Sequence, residues 1–522
     1  MVDTIAHYMK TVEAWPVASQ DRPGDVRSRL PAEPPTKGLG LQADPVAAWD
    51  AVFDDITRII LPGLMHWQHP SFFGYFPCNA SGPAILGELL SAGLGVQGML
   101  WQTSPACTEL ETHMLDWAAD MFDLPACFRS DAGSEKNREG DREGNRGGDR
   151  GGDRGGGVIQ GTASEATLCA ILAARQRWRT ITRQRDTQLA DSLGQIGLVQ
   201  QAIDQRFAVI CSESAHSSVT KAAMLAGIIE NPDDQERLWL VRTDAQGRMN
   251  ISHLREILDR AKNNPTSPIP LCCVATMGTT GVGAMDRIDA IADALAGRDI
   301  WLHVDGAWAG SALVCPEFRS MAVGLERADS LCINPHKWLL TNFDCDLFWT
   351  RHVDDLVAAM SINPEYLRNA ASASGSVIDY RDWQVPLGRR FRSLKLWFVI
   401  RHYGIEGLRA HIREHVRLAQ MVERFVKYDD RFELVMPRSL SLVCFGLRQG
   451  SEATSRLIER VNASGKAFLT HASMPHAPGG RAENPAQTER VFARFAIGAT
   501  QTEERHVRAA WKRIVQAADE VG

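Results

Sequence analysis

Between residues 157 and 335 the chain alternates short, β-branched-rich apolar runs with helical patterns, and each run ends on a turn or a polar side chain. GVIQG precedes SEATLCAILAARQRW, FAVICSES precedes AHSSVTKAAMLAG, and IPLCCVATM, DIWLHVD and ADSLCINP follow. Runs of this kind predict a mostly parallel sheet with helices on both faces, an α/β fold. Ligands of such sheets gather beyond the carboxyl ends of the strands, which is where Thr162, Ser164, His216, Asp305 and Lys337 all fall.

With 522 residues the chain exceeds one ordinary core. Residues 1–81 mix short helical patterns with Pro-rich connections such as LPAEPP and hold too little apolar surface for a core of their own, so an N-terminal helical arm that packs on something else is expected. Residues 82–394 are expected to form the large domain, and 395–522, with LRAHIREHVRLAQMVERFVKY, SLVCFGLR and RVFARFAIG, a smaller C-terminal α+β domain. In the helical run ACTELETHMLDWAADMF, Thr108 is a candidate N-cap. The stretch 134–157 is an Arg/Gly/Asp-rich insert, and between 138 and 157 its five arginines (138, 142, 146, 150, 154) are matched by five acids, with no aromatic residue to stack on bases. A disordered, solvated loop is expected there.

The formal charge of -6 gives no electrostatic reason to expect nucleic acid as a partner. No apolar run approaches the roughly 18 residues of a spanning helix, and MVDTIAHYMKTVEAW lacks a basic region followed by an apolar one, so no membrane partner and a cytoplasmic location are expected. Eleven scattered cysteines without a C-x-x-C pair read as reduced, buried small residues. GLGVQG (93–98) follows a helical pattern, so it lacks the strand that a dinucleotide fingerprint requires. HIREH (411–415) has no evident third metal ligand and reads as a solvated helix face; no metal is expected.

GTASEA (161–166) places a strand, a small-residue turn and a helix start in order. Backbone N–H groups at such a terminus, with the hydroxyls of Thr162 and Ser164, suit a phosphate or carboxylate, although Ser164 and Glu165 could equally be simple caps. Asp305 ends an apolar strand, where a carboxylate needs a cationic partner: a structural salt bridge, or a protonated ring nitrogen of a cofactor. Lys337 follows another apolar strand, where a desolvated amine becomes a nucleophile toward a carbonyl. Phosphate cradle, acid and amine together describe pyridoxal 5′-phosphate, with Lys337 holding its aldehyde.

The runs HPSFFGYFP, SPACTELE, GGGVIQGTASEATL, AHSSV, WLHVDGAWAGSALVCPEFR, NPHKWLLTNFDC and VPLGRRFRSLKLWFV closely resemble the aromatic-L-amino-acid decarboxylases, the group II pyridoxal-phosphate decarboxylases. The resemblance runs from HYMKTVEAWPV to the final helix. It implies a fold-type I, pyridoxal-phosphate-dependent transferase-like architecture, and a homodimer with active sites at the interface. It implies that Ala163, Ser164, Asn334 and His336 surround the phosphate or neighbouring polar groups, that Thr280 and Ala307 flank the ring, and that His216 stacks on it. Tyr366, in SINPEYLRNAASASGSV, is implied as the loop residue that protonates Cα after carbon dioxide leaves.

For the substrate, the resemblance implies a pocket from Trp67, Tyr75, Phe76 and Pro77. Cys78 and Met99 depart from the family's usual Thr and Phe, and Gly306-Ala307-Trp308 from its Ala-Ala-Tyr. Gly388 is the small residue that accompanies tolerance of bulky indoles, which favours tryptophan or 5-hydroxytryptophan over dihydroxyphenylalanine, tyrosine and phenylalanine. The alternative is an aldehyde synthase of the same fold. Relatives of that kind typically replace the loop tyrosine or the stacking histidine, and this chain keeps Tyr366 and His216.

Overall fold

The computed structural model describes residues 2–34, 45–76, 78–131, 154–190, 206–264, 266–362, 364–367, 369–373, 376–475 and 489–521. It contains two compact units, Asn79–Glu414 and a second made of Met1–Cys78 with His415–Gly522. No helix among the described residues is long and apolar enough to cross a membrane.

The larger unit is built on seven strands: β1 (Gly156–Gln160), β2 (Phe207–Ser212), β3 (Leu238–Val241), β4 (Ile269–Thr276), β5 (Trp301–Asp305), β6 (Ser330–Ile333) and β7 (Asp346–Thr350). Their order is β1-β7-β6-β5-β4-β2-β3. β2, β3, β4, β5 and β6 pair in parallel, while β7 runs antiparallel to both β1 and β6. Since β7 alone is reversed, β1 to β6 all point one way and share one carboxyl edge. The mostly parallel α/β sheet expected from the apolar runs is therefore present. β3 and β7 were not singled out in the sequence, because LWLV and DLFWT are short and abut charged residues.

Every position of β1, β2, β5, β6 and β7 is buried. On one face the helix Ala163–Ala190 packs its Ala166, Cys169, Ala170 and Ala173 against Val209, Cys332 and Phe348. Small residues on the helix let it approach the sheet closely, and the buried apolar area supplies the main stabilisation.

Most of the Arg/Gly/Asp-rich insert (132–153) lies outside the described residues. Its end corrects the expected boundary: Gly156 and Gly157 already belong to β1, paired with Thr350 and Trp349. A Cβ on Gly157 would stand 2.7 Å from Trp349 Cδ1, so glycine here serves strand packing and not flexibility. The helix Pro105–Phe122 is capped by Ser104, whose Oγ accepts from Cys107 N, and not by Thr108; Pro105 fixes the first turn one residue after the cap. GLGVQG does follow a helix, Gly82–Leu94, and Gly95 (φ 60°) is its left-handed cap.

The smaller unit holds an antiparallel sheet, β10 (Thr470–Pro475), β11 (Glu489–Ala496), β9 (Leu442–Leu447) and β8 (Phe432–Leu434) in that order. Its core joins Phe73, Val443, Phe445 and Phe495 to Leu457, Val507 and Ile514 of two covering helices. The helix Arg392–Tyr428, broken at Gly404, carries HIREH, and its His415 is buried. That face is therefore not solvated as expected; Ile412, Val416 and Ala419 continue the same apolar stripe. All eleven cysteines are free thiols.

Candidate active site

The carboxyl edge of the large sheet gathers residues from five separate segments of sequence. β1 delivers the 161–164 turn, β2 delivers His216, β4 leads to Thr280, β5 ends on Asp305 ahead of Ala307, and β6 leads into Asn334, His336 and Lys337. All nine residues assigned to the cofactor by resemblance thus lie along one edge.

The 161–164 turn is tight because Glu165 reaches back, its Oε2 accepting from Gly161 N at 2.7 Å. A Cβ on Gly161 would meet that carboxylate at 2.6 Å, so any larger residue would have to displace the Glu165 side chain from its bond to Gly161 N. Glu165 accordingly does the capping. Ser164, on the first turn of a 28-residue helix, stays exposed at the positive end of the helix dipole.

Asp305 is 5 % exposed and takes part in no salt bridge among the described residues. Its Oδ1 accepts from Ala307 N at 3.0 Å, and the Cys332 thiol lies 3.9 Å away. A structural ion pair, one of the two explanations the sequence left open, is therefore not what holds it. Lys337 lies on the short helix Pro335–Trp338, half-buried between buried His336 and Trp338. His336 Nδ1 accepts from Cys345 N at 3.0 Å, and burial, then the Lys337 cation, hold its pKa down to about 3. A neutral His336 is thereby fixed beside the amine.

His216 opens to solvent, and its Nδ1 accepts from Ser218 N at 3.1 Å with Ser218 Oγ at 2.9 Å. That leaves Nε2 as the protonated nitrogen of the neutral ring. Desolvation lowers its pKa first; Asp305 pulls up and Lys337 pushes down, so acid, amine and imidazole share one electrostatic environment. Buried polar atoms also wait at this edge: Thr276 Oγ1, Asn334 Oδ1 and both oxygens of Asp346 have no hydrogen-bond partner among the described residues. An exposed hydroxyl at a helix start, a carboxylate without a cation, and an amine fit a ligand bearing a phosphate, a protonatable ring nitrogen and an aldehyde. That set is pyridoxal 5′-phosphate.

Met99 and Gly388 are strapped near each other beside β1. Gly98 N donates to Arg389 O, Arg389 N donates to Gln97 Oε1, and Arg389 Nη2 donates to Ile159 O at 3.3 Å. Trp67, Tyr75, Phe76 and Cys78 belong to the smaller unit. There Trp67 stacks on Tyr75 at 5.3 Å, Arg494 lies over Phe76, and Cys78 O accepts from Gln68 Nε2. Pro77 lies outside the described residues. Tyr366 sits in the single turn Glu365–Leu367, and its side chain lies outside what is described.

Several residues escaped sequence reasoning. Arg389 is buried against Glu111, which also accepts from Ile159 N at 2.8 Å. Lys395, completely buried, holds Glu88 at 2.8 Å. The crowding of cations into the apolar run GRRFRSLKLWFV was the available signal. Asp346 gave none, being one more acid after FDC.

Residues 36–448 match the family described as "Pyridoxal-dependent decarboxylase conserved domain". The chain is 41% identical to the phenylacetaldehyde synthase of Arabidopsis thaliana, covering 99% of this chain and 94% of that protein. It is 40% identical to the aromatic-L-amino-acid decarboxylase of Bos taurus, covering 99% and 94%. An Oryza sativa TDC solved with PLP and tryptamine superposes with a TM-score of 0.84 at 38% identity, covering 99% and 96%.

Proposed function

The chain belongs to the pyridoxal-dependent decarboxylase family, and on that premise we propose that it converts aromatic L-amino acids to the corresponding amines and carbon dioxide. The observation that carries this reading is Asp305, a buried carboxylate with no salt bridge among the described residues, in one electrostatic environment with Lys337 and His216. Bound pyridoxal phosphate supplies the electron sink for the pair left on Cα when the carboxylate departs.

The chain's own residues do the rest. Ala163, Ser164, Asn334 and His336 would take the phosphate end or its neighbouring polar groups, and Lys337 would hold the aldehyde carbon. Asp305 keeps a proton on the ring nitrogen, since a carboxylate this buried favours a cationic neighbour. Thr280 and Ala307 flank the ring while His216 covers it, with its Nε2–H free because Nδ1 is occupied by Ser218. Tyr366 delivers the proton to Cα, and its loop excludes water. As the resemblance implies, Trp67, Tyr75, Phe76, Pro77, Cys78, Met99 and Gly388 are the residues proposed to bind the substrate.

Tryptophan or 5-hydroxytryptophan is the favoured substrate. Gly388 supports this as the small residue that accompanies tolerance of bulky indoles in similar decarboxylases; a Cβ there would make one ordinary contact, 3.4 Å from Gln97 Oε1, so a serine can be placed at this position to test it. A homodimer is supported by Leu86, Leu89, Leu90 and Leu94, exposed at helical spacing on one helix. The similarity to an aldehyde synthase keeps one second reading, oxidative conversion to the aldehyde. Incubating the holoenzyme with each aromatic amino acid, and measuring amine, carbon dioxide, aldehyde and peroxide, separates the two. Amine without peroxide is expected; stoichiometric peroxide and aldehyde would replace this reading by the second. Tyr366→Phe should cut amine yield by about a hundredfold and raise aldehyde and peroxide, as loss of a general acid does.

A further inference from the structure

Asp346 opens β7 directly across from Gln160 of β1. Continuing the β6–β7 register one step past Ile333 and Leu347 brings it alongside Asn334. By strand alternation both lie on the face of Cys332 and Phe348, the face covered by the Ala163 helix. The Asp346 side chain is completely buried (0 % exposed), and neither of its oxygens has a hydrogen-bond partner among the described residues. Asn334 Oδ1, at the facing position of the extended register, is also buried and without a hydrogen-bond partner among the described residues.

Two buried acceptors side by side with no donor would be costly, since each forfeits its water without recompense. A protonated carboxyl removes the conflict, because it carries an O–H as well as an acceptor. The surroundings favour that form. Burial above all raises the Asp346 pKa well above the carboxylate range; Asp305 at the end of β5 and Glu165 on the helix add to this, and Lys337 opposes it. The remaining titratable neighbours, Cys169, Cys332 and Cys345, are thiols that burial keeps protonated.

We propose that Asp346 is a neutral carboxylic acid that donates its proton in a hydrogen bond to Asn334 Oδ1, fixing the Asn334 amide so that its N–H group faces the phosphate end of the bound cofactor. Asp346 is sealed beneath the cleft, so it acts through Asn334 and is a positioning residue. The inference rests on the assignment of Asn334 to the phosphate.

Two measurements test it. Infrared difference spectra of the cofactor-free protein at neutral pH, wild type minus Asp346→Asn, should contain the C=O band of a neutral carboxylic acid. Asp286→Asn serves as the companion, because Asp286 is another buried acid with a raised pKa. A carboxylate band in its place would mean that Asp346 is ionised and accepts from a reversed Asn334 amide, and the proposal falls. Titration of the apo protein with pyridoxal phosphate then reads the positioning. Asp346→Asn, which keeps a donor, should bind close to wild type, while Asp346→Leu should bind about tenfold more weakly. Asp346→Ser replaces the leucine variant if the latter does not fold, and it should bind between the two. Pyridoxal without its phosphate should be weakened by none of them. An equal loss for pyridoxal would move the effect to the ring and overturn the role of Asn334. If the wild type bound no pyridoxal phosphate, the cofactor assignment would fail, while the infrared band would still decide the protonation of Asp346.

Discussion

Two buried acids near the carboxyl edge of the large sheet are treated differently. Asp286 closes the turn that follows β4: its oxygens accept from Met249 N at 2.6 Å and Thr276 N at 2.8 Å. Asp305, at the end of the next strand, receives one backbone N–H and a thiol 3.9 Å away. A carboxyl group filled by backbone N–H groups, one from its own turn and one from the Met249 segment, is a structural element, complete without a ligand. One left short of partners at the same depth is complementary to something the chain does not supply, and the amine and imidazole around it say what that is.

The contrast is tested most severely at Lys337. Lys337→Ala should lower kcat by more than about 10⁴-fold, the scale of losing a covalent catalytic group, and abolish the visible absorbance of lysine-bound cofactor. Retained absorbance would remove Lys337 from the site. Next, Asp305→Asn should cost about a thousandfold in kcat with cofactor still bound, while Asp286→Asn should leave kcat close to wild type. Equal losses in the two variants would erase the distinction drawn between them.

Acid–base linkage sharpens the comparison. Burial raises the Asp286 pKa to about 6, above its value in an unfolded chain. Below about pH 4 both states hold the proton and no stability is lost; from there to about pH 6 the unfolded state ionises first, and stability falls by roughly 3 kcal/mol before levelling off. Urea unfolding of the apo protein at pH 4 and pH 7 should record that fall, and Asp286→Asn should lack this part of it. The smallest effect is expected at the pocket: Gly388→Ser should shift the ratio of kcat/KM for tryptophan over tyrosine by about tenfold toward tyrosine. An unchanged ratio would take Gly388 out of the specificity argument.

Much of this site was legible in the sequence. Asp305 and Lys337 each follow an apolar run short enough to be a strand, so their exposure to one shared edge followed from the parallel topology those runs require. GTASEA announced its turn because small residues precede a helical pattern. Other features were hidden. DLFWT looks like any short apolar run, and nothing local says that it inserts antiparallel between β1 and β6. Gly156 and Gly157 resemble the end of a low-complexity loop, and only Trp349 across the ladder explains them. Thr108 has the residue type of a cap, but the cap belongs to Ser104, which precedes the proline.

The order of residues along the chain determined which groups could act: a lysine, an aspartate and a histidine, each placed by local periodicity at a strand end or just beyond it. Tertiary structure alone decided which acids are satisfied and which are not, because hydrogen-bond partners come from strands and loops distant in sequence. Asp286, Asp305 and Asp346 are one residue type in three states for that reason. Burial above all, a property of the packed molecule, raises the pKa of Asp286 and Asp346.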